Sequence, residues 1–174
     1  MSGTACAQQP QGQSASSTKP VVAYFSATGN TARAARLIAD VTDGTLYPIL
    51  PQKAYTADDL DWNDRQSRSS QEMDNVQARP ALKDGSPELP ACQVIFIGYP
   101  IWWNQAPRII NTFIESHGLR GKTIVPFATS GGSGVENSVR ELRKAYPGLE
   151  WSDGKLLNRA SRAAVEKWAE GLAK

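Results

Sequence analysis

The sequence has few of the residues that build metal centres and disulfide frameworks. Its 174 residues include two cysteines, Cys6 and Cys92, and a single histidine, His117. Two cysteines make neither a disulfide framework nor a metal site, so we expect neither here. Cys92 opens an apolar segment and is expected to be buried. His117 precedes Gly118 at a predicted helix end, where we expect it to serve the helix rather than catalysis.

Net charge and long apolar runs are also lacking. Nineteen Lys and Arg residues against seventeen Asp and Glu residues leave a formal net charge of +2. That balance gives no case for a nucleic-acid partner or an anionic membrane surface. No apolar run approaches the length of a transmembrane helix. The chain is long enough to bury the core of one domain.

Apolar bulk is almost absent from residues 1–19, which are rich in Gln, Ser, Gly, Ala and Pro. We therefore predict a disordered tail there and one folded domain over residues 20–174. The tail has no apolar core of a signal peptide. Thr4-Ala5-Cys6 before a polar tether nevertheless resembles the remnant of a trimmed lipoprotein signal. Two locations stay open: the cytoplasm or, as the alternative, the periplasm as a lipoprotein whose signal the sequence lacks.

Short apolar segments bounded by turn residues predict buried parallel strands. They cover residues 21–26, 46–50, 94–99 and 123–128, with a weaker fifth at 155–157. Segments with helical periodicity separate them. This alternation indicates an α/β fold, a three-layer sandwich around a five-stranded parallel sheet, with the doubly wound strand order 2-1-3-4-5.

The segment between Pro51 and Ala91 contains no clear apolar strand. Thr56 followed by Asp59 matches a capping box and predicts a short helix through Leu60 and Trp62. The remainder is predicted to be a long surface connection, and connections of that length are usually functional or poorly ordered.

Three loops of unusual composition follow predicted strands one, three and four. In a doubly wound sheet, ligands bind outside the carboxyl ends of the strands. The first loop joins a strand to a helix and aims N–H groups and hydroxyls at one point. This arrangement predicts a phosphate site. Helix capping alone is the alternative explanation for the same residues. The candidate site residues are Ser26, Thr28, Gly29, Asn30 and Thr31; Pro100, Ile101, Trp102, Trp103 and Asn104; and Thr129, Ser130, Gly131, Gly132, Ser133 and Gly134.

Two adjacent tryptophans in the second loop indicate what accompanies the phosphate. Exposed indoles are costly unless they cover an apolar or planar partner. A flat heteroaromatic ring on Trp102 or Trp103, with its phosphate on the first loop, explains both features. Packing onto the long connection is the alternative, and it explains one exposed indole better than two. Ser133 followed by Glu136 also predicts a capping box for the next helix. Arg33, just past the first loop, is expected at a solvated helix position.

Competing catalytic motifs are incomplete. No Gly-Lys-Ser/Thr exists for a nucleotide P-loop, and Asn137 stands where a dinucleotide fingerprint needs its third glycine. The Gly131-x-Ser133 pattern lacks the closing glycine of a nucleophile elbow. The sequence therefore supports neither an NTPase nor a serine hydrolase.

Three motifs together resemble the flavodoxin family, specifically short flavodoxin-like FMN-binding proteins. They are Phe-Ser-x-Thr-Gly-Asn-Thr at 25–31, Gly-Tyr-Pro-Ile-Trp-Trp at 98–103 and Thr-Ser-Gly-Gly-Ser-Gly at 129–134. The resemblance implies a flavodoxin-like fold with noncovalent FMN. It places the three loops at the FMN phosphate, beside the isoalloxazine and near its pyrimidine edge. Asn104 stands where many flavodoxins have glycine, and Asn tolerates left-handed backbone geometry.

The function that the resemblance implies is electron transfer through FMN, with no side chain needed as acid or base. The protein is expected to be either a carrier that docks redox partner proteins or a small reductase that takes NAD(P)H or a quinone-like molecule. Carrier flavodoxins are usually acidic, so the near-neutral charge favours a reductase. The alternative is a flavodoxin-like binding or sensor module that does not use flavin.

Overall fold

Strands and helices alternate along residues 18–172, which are the residues that the computed structural model describes. The predicted tail, apart from Thr18 and Lys19, lies outside them, as does Cys6. In chain order the elements are β1 (Val21–Tyr24), α1 (Asn30–Thr42), β2 (Thr45–Pro48), α2 (Arg68–Asp74), β3 (Val94–Pro100), α3 (Arg108–Ser116), β4 (Thr123–Thr129), α4 (Glu136–Ala145), β5 (Glu150–Trp151), β6 (Lys155–Leu156) and α5 (Arg162–Leu172).

All strand pairs are parallel, and the sheet order β2-β1-β3-β4-β5 confirms the predicted topology. Side chains alternate between the two faces of each strand. Val21, Ile95 and Ile124 pack with α3 and α4 on one face. Val22 and Phe96 pack with α1 and α5 on the other. Both faces are covered, as a parallel sheet requires, and the result is a three-layer sandwich.

The fifth sheet position is divided between two short strands, where the sequence predicted one at 155–157. Both β5 and β6 pair with β4. The carbonyls of Ile124 and Ala128 accept hydrogen bonds from Ser152 and Leu157 at this edge. Pro126 lies midway between them and faces the same edge, where it has no N–H to donate. The missing donor removes one bond of the ladder, and the register also shifts by one residue between β5 and β6.

The helix predicted after Thr56 is wrong. Thr56 and Asp59 do make both bonds of a capping box, with N···O distances of 2.9 and 3.1 Å, but only a single turn follows. Side chains of Asp61 and Asp64 accept hydrogen bonds from backbone N–H groups two residues further on, which competes with a helix. The helix forms later, as α2, with Ser67 as its N-cap.

The long connection is tied to the sheet and to α3 at several points. The Tyr47 hydroxyl donates to the carbonyl of Pro87 at 2.6 Å, and Arg79 binds Glu115 through two nitrogens at 2.8 and 3.0 Å. The buried Arg108 donates to the carbonyl of Met73 at 2.9 Å. These contacts hold the connection against β2 and along α3, and the Arg108 contact does so at the start of α3.

Cys92 and His117 both have structural roles. Cys92 is buried, and a ring nitrogen of His117 lies 2.8 Å from the carbonyl oxygen of Phe113 at the end of α3, as predicted. Over residues 18–172, no cluster of three or more His, Cys, Asp or Glu side chains is arranged to hold a metal ion. In the same range, no helix combines the length and the apolar character that crossing a membrane requires.

Gly98 is required by the packing of the sheet. It pairs with Phe127 across β3 and β4, and a Cβ atom at this position would overlap the Phe127 ring. Only glycine lets that ring lie across the strand. The residue also leads directly into Tyr99 and the second loop.

We expect Gly98→Ala to lower the free energy of unfolding by about 1–3 kcal/mol, because overpacking a dense core costs that much. Urea unfolding followed by circular dichroism measures the change. Gly118→Ala is the matched control, since a Cβ there meets no neighbour within 4 Å. An equal loss in the two variants would show that the Phe127 overlap is not the cause.

Candidate functional site

The first loop bends at Gly29, which has a φ of 93° that other residues rarely adopt. Ser26 Oγ accepts a hydrogen bond from the Gly29 N–H at 3.1 Å and shapes the turn. Gly29 occupies the N-cap of α1, and no side chain caps that helix. The first N–H groups of α1 therefore have no side-chain acceptor from the chain, which suits an anion there.

A buried hydrogen bond joins the first loop to the third. Thr31 Oγ1 and Thr129 Oγ1 lie 2.8 Å apart, and the two residues are 1% and 7% exposed. Each hydroxyl satisfies the other without solvent. This pair fixes the distance between the two loops, and any ligand contact of these two residues stays a prediction.

The second loop is a tight turn with two left-handed residues. Trp102 and Gln105 exchange backbone hydrogen bonds of 2.9 Å in both directions, and Trp103 and Asn104 between them have φ values of 47° and 62°. Two positive φ values at the centre are the mark of a type I′ turn. Asn104 takes the left-handed geometry that its residue type tolerates. Trp103 was not expected to, because bulky residues rarely adopt it.

Ser130 organises the third loop. Its hydroxyl accepts from the N–H groups of Gly132 and Ser133 at 3.1 and 2.8 Å. The predicted capping box between Ser133 and Glu136 is wrong, because α4 begins at Glu136 and has Val135 as its N-cap, with no side-chain cap. Ser133 therefore lies two residues before the N-cap position, too early to cap α4. Its N–H is held by Ser130.

Tyr55, which sequence analysis missed, packs against the tryptophan of the second loop. Its ring lies 5.4 Å from Trp102 and 5.5 Å from Phe25 between centroids. The Arg68 guanidinium lies 3.8 Å above the Tyr55 ring, and Glu72 accepts from the Tyr55 hydroxyl at 2.6 Å and from Arg68 at 2.8 Å. Burial, together with Glu72, raises the pKa of Tyr55, so its phenol stays a neutral donor.

The signal for this cluster was weak. Arg68 and Glu72 stand four residues apart, a spacing that favours an ion pair on a helix. Nothing in the sequence pattern related that pair to Trp102.

The three loops enclose one cleft with two chambers. Both chambers are lined by Thr28, Pro100, Ile101, Trp102, Ser130 and Gly131. The arginine chamber, of about 500 Å³, adds Asn30, Arg33, Thr129, Asn158 and Arg159. The aromatic chamber, of about 620 Å³, adds Ala27, Leu60, Trp62, Ser69, Trp103, Gly132 and Ser133. Two larger grooves, of about 820 and 740 Å³, lie along α5, away from the three loops.

The two chambers differ in charge. The arginine chamber carries two guanidinium groups and no carboxylate, whereas no charged side chain lines the aromatic chamber. In the aromatic chamber Trp62 is 71% exposed and Trp103 is 44% exposed. A cleft of this kind suits a ligand with an anionic end and a flat apolar end.

Most of the predicted site residues line this cleft. The exceptions support the loops from behind or beside it: Ser26, Gly29, Thr31, Asn104 and Gly134. Asn104 is held by the side-chain amide of Asn137, which donates to its carbonyl at 2.8 Å. Leu60, Trp62 and Ser69 were missed, because they come from the long connection, whose position relative to the sheet has no periodic signal.

A doubly wound sheet with a ligand cleft at the carboxyl ends of its strands defines a class of cofactor-binding α/β proteins. The chain belongs to the flavodoxin family, because the flavodoxin family model matches residues 19–172. No match was found among curated protein sequences.

Solved structures agree with this assignment. A protein of Bacteroides uniformis ATCC 8492, provisionally named a flavoprotein, is 57% identical over 87% of this chain and 97% of its own, with a TM-score of 0.84. A protein of Bacteroides eggerthii DSM 20697, named in the same way, is 54% identical over 90% and 98%, with a TM-score of 0.83. The flavoprotein of Lactobacillus acidophilus NCFM, solved in complex with FMN, is 21% identical over 87% and 98%, with a TM-score of 0.67, and shares the fold.

We expect Thr31→Val to lower the free energy of unfolding by about 1–3 kcal/mol, because it leaves the Thr129 hydroxyl buried without a partner. The double variant Thr31→Val, Thr129→Val should recover most of that loss, since two apolar groups of the same shape replace the pair. A double-mutant cycle by urea unfolding measures both.

Thr45→Val in β2 is the control, because Thr45 is exposed and its substitution should change stability by less than about 0.5 kcal/mol. Losses that simply add in the double variant would contradict a direct Thr31–Thr129 interaction.

Proposed function

We propose that this protein binds FMN noncovalently and transfers electrons through it. The observation that carries the proposal is the two-ended cleft built by the three loops. FMN has a phosphate dianion at one end and a planar isoalloxazine at the other, and the two chambers match those ends in charge and in apolar surface. The FMN complex of the Lactobacillus acidophilus flavoprotein, which has the same fold, supports this choice of ligand.

The residues present fit each part of FMN. The uncapped first turn of α1, with Thr28 and Asn30, offers donors for the phosphate. Trp102 and Trp103 offer ring faces or edges to the isoalloxazine. At Gly131 and Gly132 a Cβ would meet no neighbour within 4 Å, so that side of the loop is open to a ligand. FMN supplies the electron or hydride chemistry when bound, and the chain binds, orients and shields it.

The same proposal covers the extent of the domain and the partners. The flavin-binding unit is the domain predicted over residues 20–174, and the family match over residues 19–172 supports that extent. Between the two uses of the flavin, the uncharged lining of the aromatic chamber favours a reductase that takes NAD(P)H or a quinone-like molecule over a carrier for redox partner proteins. A reductase should oxidise NADPH or NADH unaided when a quinone is present. Inertness in that assay, with FMN bound, would identify a carrier.

The chemical state of Cys6 tests the cellular location of the protein. A lipid adduct on Cys6 of native protein, seen by mass spectrometry, would identify a periplasmic lipoprotein. Native protein that retains residues 1–6 with an unmodified Cys6 would favour the cytoplasm.

Replacing Thr28 by leucine should weaken FMN binding at least about tenfold more than riboflavin binding, because one charge-assisted hydrogen bond contributes about that much. Flavin fluorescence titration measures both dissociation constants. Thr45→Leu, exposed in β2, is the control and should leave both unchanged. Equal losses for the two ligands would contradict a phosphate site at Thr28. Wild-type protein that binds neither ligand would support the binding or sensor module instead.

Trp102→Ala should weaken FMN and riboflavin alike, by about tenfold, because it removes a contact with the ring that the two ligands share. Trp102→Phe keeps an aromatic face and should restore part of the affinity. A loss of affinity for FMN alone would show that the isoalloxazine ring does not contact Trp102.

A further inference from the structure

Two arginines from distant parts of the chain line the same chamber. Arg33 lies in the first turn of α1, and Arg159 follows β6. Both line the arginine chamber beside Thr28 and Asn30. Neither takes part in any of the ion pairs found among residues 18–172. Their charges are therefore available to a ligand.

The position of Arg159 is set by its neighbour. The Asn158 side chain accepts from the Ser130 N–H at 2.8 Å and donates to the Ser130 carbonyl at 2.6 Å. This two-point contact ties the turn after β6 to the third loop. Arg159 itself has a φ of 51°, which is uncommon for a residue with a side chain. The guanidinium thus starts from a backbone that is fixed relative to the cleft.

Acidic groups nearby are engaged elsewhere or lie outside the chamber. On α5, Glu166 pairs with Arg162 at 2.9 Å. Asp40 lies two turns along α1, where it lines a separate groove together with Arg33 and Arg36. The chamber lining itself consists of hydroxyl, amide and guanidinium groups with apolar walls. That set of groups donates hydrogen bonds and carries positive charge, which suits a phosphomonoester dianion.

We propose that Arg33 and Arg159 bind the phosphate of the flavin cofactor and set its selectivity for the phosphorylated flavin. This inference rests on the proposed function and adds two charged ligands to the loop of backbone and hydroxyl donors. Arginine suits the role because its planar fork matches phosphate oxygens at two points. FMN affinity should then depend on salt, whereas riboflavin affinity should not.

The test compares Arg33→Gln, Arg159→Gln and the double variant with wild type, using dissociation constants for FMN and riboflavin from fluorescence quenching at low and high salt. Each single variant should weaken FMN by about tenfold and the double by about a hundredfold, with riboflavin unchanged. The double variant should also lose most of the salt dependence. Arg159→Lys should retain part of the affinity, because it keeps the charge but not the fork.

Arg36→Gln is the matched control, since Arg36 lies on the same helix and lines the neighbouring groove instead. Thermal unfolding of each variant without flavin separates binding from folding. Because both arginine side chains are exposed, the folds should be equally stable.

The possible outcomes distinguish this inference from the proposed function on which it rests. If wild type binds no flavin, the proposed function fails. If wild type binds FMN and the variants bind it equally well, the inference alone is overturned. Parallel losses of FMN and riboflavin would overturn it too, as would unchanged FMN binding with a raised KM for NADPH, because the arginines would then serve the dinucleotide.

Discussion

The loops after β1 and β3 lead to helices on opposite faces of the sheet, and the rest of the structure depends on this divergence. β1 and β3 lie side by side, but α1 packs on one face of the sheet and α3 on the other. Right-handed crossovers on opposite faces force the loops after these strands apart at their carboxyl ends. The cleft opens at that place. Its floor is backbone that is already paired within the sheet, so a ligand there meets a rigid support.

Hydrogen bonds at the sheet edge convert this opening into a defined cavity. The Thr31–Thr129 pair joins the first loop to the third, Asn158 after β6 holds Ser130 of the third, and Asn137 in α4 holds Asn104 of the second. Each bond joins one of the three loops to a residue distant in the sequence. Loops are usually the mobile part of a domain, but here each one is held by such a bond. The cost of ordering them is therefore met mostly during folding, before a ligand arrives.

The fold and the three loops could be predicted because their signals are local. Central parallel strands are short apolar runs, and strand order follows from alternation and handedness. The predictions that were wrong or incomplete depended on contacts between distant residues or on single atoms. The fifth strand is split where Pro126 lacks an N–H and the register shifts by one residue. The helix after Thr56 fails where aspartate side chains accept from backbone N–H groups two residues further on. Tyr55 and Trp62 belong to the site only because tertiary contacts hold the long connection beside it.

The distribution of charge in the cleft, to which Arg33 contributes, could not be predicted from the sequence for the same reason. The place of Arg33 on an exposed helix turn was predicted. Arg159 lines the same chamber but lies 126 residues further along the chain, so only the fold brings the two residues to one site. The net charge of +2 describes the distant field, which salt screens within about 8–10 Å. At contact, the distribution of charge within the cleft matters instead. Positive charge is confined to one chamber, and the other carries none. A ligand that enters the aromatic chamber meets indoles rather than ions, so stacking rather than ion pairing would hold it there.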